Sequence, residues 1–530
     1  MGLIGKALIT LKTIKYLKLS QAFYQIKYRL IKPRPLSAYE SRQANNIVLP
    51  IAFAYHPSMP ERWLGEQRFC LLNLKVDFET QIDWNCQSHG KLWNYNLQYA
   101  NFLLQKEGSD VEKAQLIKDL YRWLGDGRLP LEPYPVSLRT INMIRWLSSR
   151  PATNQDELVR AVYAELEYLS QRLEYHLLGN HLLENGFALI MGGGFFAKDE
   201  WLTVGERILR KELEEQILSD GAHFELSPMY HQIIFFRLLE LIDWYSSWDG
   251  KRPDFENFIR AKARLMRSWL ENISFKQGDI PHFNDSSDHI AYSTKWLCSY
   301  AEKLNIAAAR VPLGSSGYRS ISLGNYECKV DVAQIGPDYQ PGHGHADTLS
   351  FWMYVDGSPV FVEQGTSTYE IGATRTQERS TAAHNTVVVD KRNQSNVWGG
   401  FRVAERARTK LLVDEKYRIC AEHDGYRKLG VIHRRTFTFA QKSVTIKDEV
   451  AGGKSYTKEF NLHIYPGIDV NMTGPQKVIL SNGISVHFSP NLDIQIHEYQ
   501  MADGFNRYRT GKKIVVLFSS VLETSILTES

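Results

Sequence analysis

Cysteine is scarce in this chain of 530 residues: Cys70, Cys86, Cys298, Cys328 and Cys420 are five, odd in number, scattered, and never spaced C-x-x-C. That excludes a disulfide framework and a zinc finger and leaves buried free thiols. Net charge is small too, 63 Lys+Arg against 59 Asp+Glu giving +4, too little at this length for a global nucleic-acid footprint. No segment reaches the roughly 18 uncharged apolar residues of a membrane span. Fixed-period repeats, low-complexity tracts, a Walker loop, a dinucleotide fingerprint and a G-x-S-x-G elbow are all missing. What is plentiful is apolar and aromatic residues. With 43% hydrophobic, 23% charged and 12% aromatic residues, the balance is that of a globular chain of two or three domains with a large core. Aromatics in this number fill a core, line a groove that stacks on sugar rings, or both.

Acid is also missing from the start of the chain. Lys6, Lys12, Lys15, Lys18, Lys27, Arg29, Lys32 and Arg34 are eight bases with no acid before Glu40. Lysines interrupt every apolar run and no small-x-small cleavage site follows, so this basic arm, residues 1–45, is a poor secretory signal. By sequence the chain is expected in the cytoplasm. Leu3, Ile4, Leu8, Leu11, Ile14 and Leu17 recur at helical steps, which predicts a basic amphipathic helix. It either packs as a solvated helix on the main body or docks on a membrane surface or polyanion.

From about residue 95 to 310 apolar residues fall at helical spacing, in runs such as 156–177, 181–191, 228–245 and 255–273. After about 315, short runs rich in β-branched and aromatic residues alternate with turns: 348–355, Asp356-Gly357, 359–363, then 386–389, 435–440 and 514–518. Helices first and strands afterwards predict an α+β chain of segregated domains, 46–312 and 313–530, parted near the Pro, Gly and Ser cluster of 312–317. Periodicity does not tell a ring of helices from a bundle.

Four segments carry candidate chemistry. Gly179-Asn180-His181 opens a helix; Asn180 fits its N-cap, which puts the Asn180 amide and the His181 ring at a positive helix end suited to a carboxylate, or else Asn180 only caps. Ser227-Pro228-Met229-Tyr230-His231 joins an N-cap serine to a proline at the first helical position. Tyr230 then sits in the first turn, where the dipole favours phenolate, although most tyrosines so placed only pack. Pro341-Gly342-His343-Gly344-His345-Ala346-Asp347 presents two histidines suited to proton transfer or metal ligation, and Glu363 and His384 complete a set of two histidines and a carboxylate. A two-residue hairpin at Asp356-Gly357 pairs Glu363 with Ser350, so the loop before that strand must fold back to bring His345 alongside. Tyr369, Arg375 and Arg379 are of the kind that grips an acidic sugar.

Together these segments resemble the heparinase II/III family of polysaccharide lyases. The likeness runs in order through Leu92-Trp93-x-Tyr95-x-Leu97, Pro133-Tyr134-Pro135-x-Ser137-x-Arg139-x-x-Asn142, Gly179-Asn180-His181, Ser227-Pro228-x-Tyr230-His231, Gly342-His343-x-His345-Ala346-Asp347-x-x-Ser350-Phe351 and His384-Asn385-Thr386, over roughly residues 80 to 440. It implies an N-terminal incomplete α/α toroid followed by a C-terminal antiparallel β-sandwich. For activity it implies β-elimination on a uronic-acid polysaccharide, with Asn180 and His181 neutralising the uronate carboxylate and Tyr230 and His343 sharing the acid and base roles. It further implies a substrate groove with Trp93, Tyr95, Tyr134, Arg139, Asn142, Glu184, His231, Tyr369, Arg375 and Arg379, and a structural zinc on His345, Glu363 and His384. The carboxylate is usually aspartate in the family, so zinc or no metal are both carried forward. Exported members carry a cleavable signal, which makes the periplasm the alternative location; without one, the cell's own capsular or exopolysaccharide is the substrate suggested. Two other readings stand beside the lyase: a glycan-binding protein on the same scaffold, and an α/α-toroid glycoside hydrolase using a pair such as Glu184 and Asp285.

Overall fold

The computed structural model describes residues 3–40, 49–54, 62–149, 156–453, 455–490 and 492–529. The helical half runs through Asp110–Gly125, Pro133–Ser148, Asp156–Gln171, Gly179–Phe195, Asp199–Gln216, Pro228–Ser247, Pro253–Ile273 and Thr294–Lys303. Local chemistry fixes several starts. Ser109 and Glu112 form a capping box, and Ser227 accepts from the Tyr230 N–H with Pro228 in the first turn. Gly179–Phe195 is buried on nearly all sides, which only neighbours all round it can achieve. It packs against Pro133–Ser148, Asp156–Gln171, Asp199–Gln216 and Pro228–Ser247, an incomplete α/α toroid.

Two antiparallel eight-stranded sheets follow. One runs in the order Thr409–Glu415, Arg418–His423, Ile432–Ala440, Ser443–Ala451, Val521–Leu527, Ser485–Phe488, Lys477–Leu480, Val470–Gly474. The other runs Asp493–Ala502, Tyr508–Phe518, Lys458–Ile464, Ser358–Val362, Phe351–Val355, Tyr326–Asp331, Tyr318–Leu323, with Val387–Val389 also paired to Lys458–Ile464. The central strands of this second sheet are buried on both faces. Along Phe351–Val355, Phe351, Met353 and Val355 enter the core between the sheets, while Trp352 and Tyr354 enter the helical core. Tyr354 stacks on Phe275 at 3.7 Å between ring centroids, so the period-two alternation of a strand here serves two cores. The hairpin turn lies at Asp356-Gly357, with Val355 opposite Ser358, but an irregularity then sets Met353 opposite Phe361 and shifts the register by one.

The two halves are pinned by Asp220, in the loop before the Pro228 helix. Its carboxylate accepts from the N–H groups of Gly314 (2.9 Å) and Ser316 (2.9 Å), the Ser316 hydroxyl (2.6 Å) and the Ala222 N–H (3.2 Å). Burial opposes the charge, yet these donors hold its pKa below the usual carboxylate value. Charge-assisted bonds of this kind contribute about 1.5–3 kcal/mol each at most, and not additively. We expect Asp220→Ala to lose about 3 kcal/mol in denaturant unfolding. Since the folded pKa is depressed, the stabilisation is fully present above the unfolded value of about 3.9 and disappears as pH falls through the folded value. Asp220→Asn should therefore flatten the acid limb of the stability curve, and an unchanged limb would exclude this role.

Candidate active site

At the junction of the halves, one loop of each meets. Asp285 follows Asn284, whose φ of +55° asparagine tolerates well, in the loop after the Pro253–Ile273 helix. Its carboxylate lies 2.9 Å from His343 Nδ1, 2.8 Å from His345 Nε2 and 2.7 Å from Arg375 Nη2, with a second Arg375 bond through Nη1. Its own carbonyl accepts from the Ser227 hydroxyl, so the same residue touches the cap of the Tyr230 helix. Tyr230 and His343 stack at 3.9 Å between centroids, and the Tyr230 and Tyr369 hydroxyls are 3.4 Å apart. Gly344 is required by close approach, since a Cβ there would stand 2.3 Å from the Ile335 carbonyl.

On the helical side Leu178 adopts φ +64°, ψ −150°, a conformation that costs about 1–3 kcal/mol and clusters at functional sites. It sets the next residues against Glu225. Asn180 donates to Glu225 from its backbone N–H (3.0 Å) and its amide Nδ2 (2.9 and 3.1 Å), while Glu225 Oε2 lies 3.4 Å from His343 Nε2. Gly179, at φ +57°, has no room for a Cβ, which would stand 2.4 Å from Glu225 Oε1. The helix therefore starts at Gly179 with Leu178 at its cap, and Asn180 is not the N-cap the sequence suggests. Its amide is spent on Glu225. His181 is freer: Nδ1 meets Glu174 at 3.0 Å and the ring lies 4.4 Å from Tyr134.

Electrostatics divide these groups. Burial, then Tyr369, Asp285 and Glu225, push the Tyr230 phenol well above its ordinary value, which reverses the phenolate expected from the helix dipole: desolvation outweighs a half-charge one turn away. Burial alone would lower His181, but Glu174, by its field and its hydrogen bond, and Glu225 lift it above the ordinary histidine value. Burial opposes ionisation of Asp285, but Arg375 and the two histidines hold it well below the carboxylate range.

The loop of residues 343–350 does fold back, and it brings Asp347 rather than His345 to Glu363 and His384. One ligand atom from each of Asp347, Glu363 and His384 lies within 4.8 Å of the others, and all three residues are buried. Asp347 Oδ2, Glu363 Oε1 and His384 Nε2 have no hydrogen-bond partner, a costly state that a cation would relieve. His345 has an unpartnered Nδ1 but lies outside this trio because its other nitrogen is committed to Asp285. Two carboxylates and an imidazole suit zinc or a harder divalent cation, so the residues fit a metal with Asp347 in the place expected of His345.

Much of the expected groove is instead framework. Arg139 is buried and bonded to Glu165 and the Gln98 carbonyl; Asn142 donates to the Tyr99 carbonyl and Asn101; Glu184 pairs with Arg237. His231 Nδ1 accepts from the His223 N–H, and its Nε2 lies 3.0 Å from the Met266 carbonyl. Trp93 is wholly buried in the helical core. Arg375 is spent on Asp285 and the Gly400 carbonyl, and Arg379 on the carbonyls of Gly344 and Gly400. Apart from Trp93 Nε1, which is buried without a partner, the donors of these side chains are spent on the framework. Tyr134 stays half-buried beside His181, Tyr95 is held by Glu132, and Tyr369 stands 5.0 Å from exposed Phe401 at the rim. Glu225 and Glu174 escape sequence reasoning, since nothing in a lone carboxylate tells which helix end it will meet; the only trace is that Glu225 lies two residues before the Ser227 cap.

The family model for the heparinase II/III N-terminus matches residues 139–307, and the heparinase II/III-like C-terminal model matches 306–527. The chain belongs to the heparinase II/III family. It is 25% identical over 322 residues to a heparin-sulfate lyase of Bacteroides stercoris, covering 54% of this chain and 46% of that protein. It is 24% identical over 376 residues to one of Bacteroides thetaiotaomicron, covering 61% and 51%. The chain thus spans about half the length of the curated relatives it matches. A crystal structure of heparinase III superposes with a TM-score of 0.66 at 18% identity, covering 93% of this chain and 89% of that one. The chondroitin AC lyase of Streptomyces coelicolor A3 gives 0.51 at 9%, covering 82% and 74%. At these identities the likeness shows the fold.

Elemental analysis of the purified protein is expected to find about one divalent cation per chain, and Glu363→Ala or His384→Ala to lose it with a drop in melting temperature. A metal-free protein whose melting is indifferent to chelator would refute the site.

Proposed function

We propose that the protein is a polysaccharide lyase that cleaves an acidic, uronic-acid-containing polysaccharide of the glycosaminoglycan kind by β-elimination. The observation that carries this reading is the stacked Tyr230 and His343 pair, joined through Glu225 to the Asn180-His181 helix start and backed by the Asp285 cluster. Family membership and relatives named heparin-sulfate lyases support it. The chemistry needs the uronate carboxylate neutralised so that charge can spread onto it as the C5 proton leaves, a base for that proton, and an acid for the departing O4. His181, raised in pKa, carries the positive charge for the first task; Asn180, tied to Glu225, supports it by fixing the start of that helix. Asp285 orients His343 through Nδ1, and Nε2, 3.4 Å from Glu225, takes the C5 proton. The C5–H electron pair forms the C4–C5 double bond, the C4–O4 bond breaks, and Tyr230, held protonated, delivers its proton to O4. Tyr230 is then reset by proton exchange through His343 or solvent. Asp347, Glu363 and His384 would hold a cation that would brace the 343–350 loop, apart from the groups that move protons. The hydrolase pair Glu184 and Asp285 has nothing in its favour, both carboxylates being fully buried and paired with arginine.

Incubation with a panel of uronate polysaccharides should yield product with the ultraviolet absorbance of the unsaturated uronate, and Tyr230→Phe and His343→Ala should each lower kcat by about 100-fold or more. Activity should decline as pH rises through the elevated His181 pKa, because neutral His181 no longer offsets the carboxylate. New reducing ends without absorbance would make the enzyme a hydrolase, and binding without either would make it a glycan-binding protein.

A further inference from the structure

The basic arm folds as two helices, Leu3–Ile14 and Leu19–Leu30, and is bound to both halves of the protein. Lys12 pairs with Glu405 at 2.9 Å, and Trp398 Nε1 donates to the Thr13 hydroxyl at 3.0 Å, on the β side. On the helical side the Tyr28 hydroxyl donates to the Leu173 carbonyl at 2.8 Å, and Tyr24 packs on Tyr175 at 4.9 Å. The second helix is amphipathic in the inverse sense. Gln21, buried, and Tyr24 and Tyr28 face the protein, while Leu19 (90% exposed), Phe23 (62%), Ile26 (61%) and Leu30 (79%) face solvent. At about 100° per residue those four fall within about 60° of one another, one continuous stripe, and Lys27 and Arg29 fall about 80° to either side of it. Nine of the twenty large apolar side chains exposed among the described residues lie between Leu8 and Ile31. Lys15, Lys27, Arg29, Lys32 and Arg34 pair with no carboxylate among the described residues.

We propose that this face docks on the surface of an anionic lipid bilayer, the Leu19, Phe23, Ile26 and Leu30 stripe entering the headgroup boundary and the flanking bases meeting lipid phosphates. A helix of 12 residues is too short to span and lies in the plane of the surface. Charge selects this occupant. A second copy would bring one pair of acid-free helices against another, base on base, in any symmetric pairing. A soluble polyanion would satisfy the bases and leave the aliphatic stripe in water. A lipid surface answers both, through apolar insertion and the negative potential of anionic headgroups. The arm's contacts to both halves hold the stripe in place before binding, so docking requires no folding step.

Cosedimentation of the full chain with phosphatidylcholine vesicles, with and without half phosphatidylglycerol, tests this. Binding at least about tenfold stronger to the anionic vesicles, lowered by salt, is expected. The triple variant Phe23→Ser, Ile26→Ser, Leu30→Ser should lose about tenfold of it while keeping the melting temperature and the activity on soluble polysaccharide. A protein that stays in the supernatant overturns the proposal. So does a variant that binds as well as the parent, which would leave charge alone. A dimer in light scattering that the same variant dissociates also overturns it, by giving the stripe to a second copy.

Discussion

The site depends on one buried carboxylate. Asp285 has no exposed surface, and an unpaired charge there would be untenable. It is made tenable by Arg375 from the β half, by His343 and His345 from one β loop, and by a helical half whose Ser227 grips its carbonyl. Each partner belongs to a different segment, so ionising Asp285 assembles all of them at once. The 3.9 Å stack of His343 on Tyr230 follows from that assembly, because the ring of one and the helix cap of the other are fixed to the same residue.

A second carboxylate plays the corresponding part on the far side of His343. Glu225 takes the hydrogen bonds of Asn180, which accounts for the strained Leu178 and for the glycine after it. Its own burial is offset by His343, His223 and Asn180, which keep its pKa below the ordinary value. His343 thus stands between two anions, and His181 beside a third, Glu174. On the proposed function, His181, raised in pKa beside Glu174, is the positive charge that an acidic chain lying across the helical wall would meet. The arginines nearby are spent on holding loops together, so under the proposed function recognition of an acidic substrate would fall to histidine.

Fold class was legible because it rests on local signals. Helical spacing gave way to β-branched runs at about the place where Thr294–Lys303 ends and Tyr318–Leu323 begins, and Ser227-Pro228 marked a helix start to the residue. Motifs led to two of the pairings in the structure, Tyr230 stacked on His343 and Glu363 bonded to His384. What failed did so for tertiary reasons. Arg139, Asn142, Glu184 and His231 have the right chemistry for a groove, yet partners up to about fifty residues away in sequence bury and engage them. The register shift after Asp356-Gly357 and the turn at 347–350 put Asp347 where His345 was expected, beside Glu363 and His384. Neither is visible in residue types. Where the spacing of the basic arm predicts one helix, packed or docked, its residues 3–30 form two, with the aliphatic stripe of the second facing outward.

The claim that Asp285 organises catalysis is tested most directly by the turnover of Asp285→Asn, measured on a uronate polysaccharide that the parent cleaves and in protein shown by thermal melting to be folded. The account predicts kcat lowered by about 100-fold or more with KM little changed, because His343 loses its orienting anion while the rim of the groove stays intact. Turnover equal to the parent would contradict it.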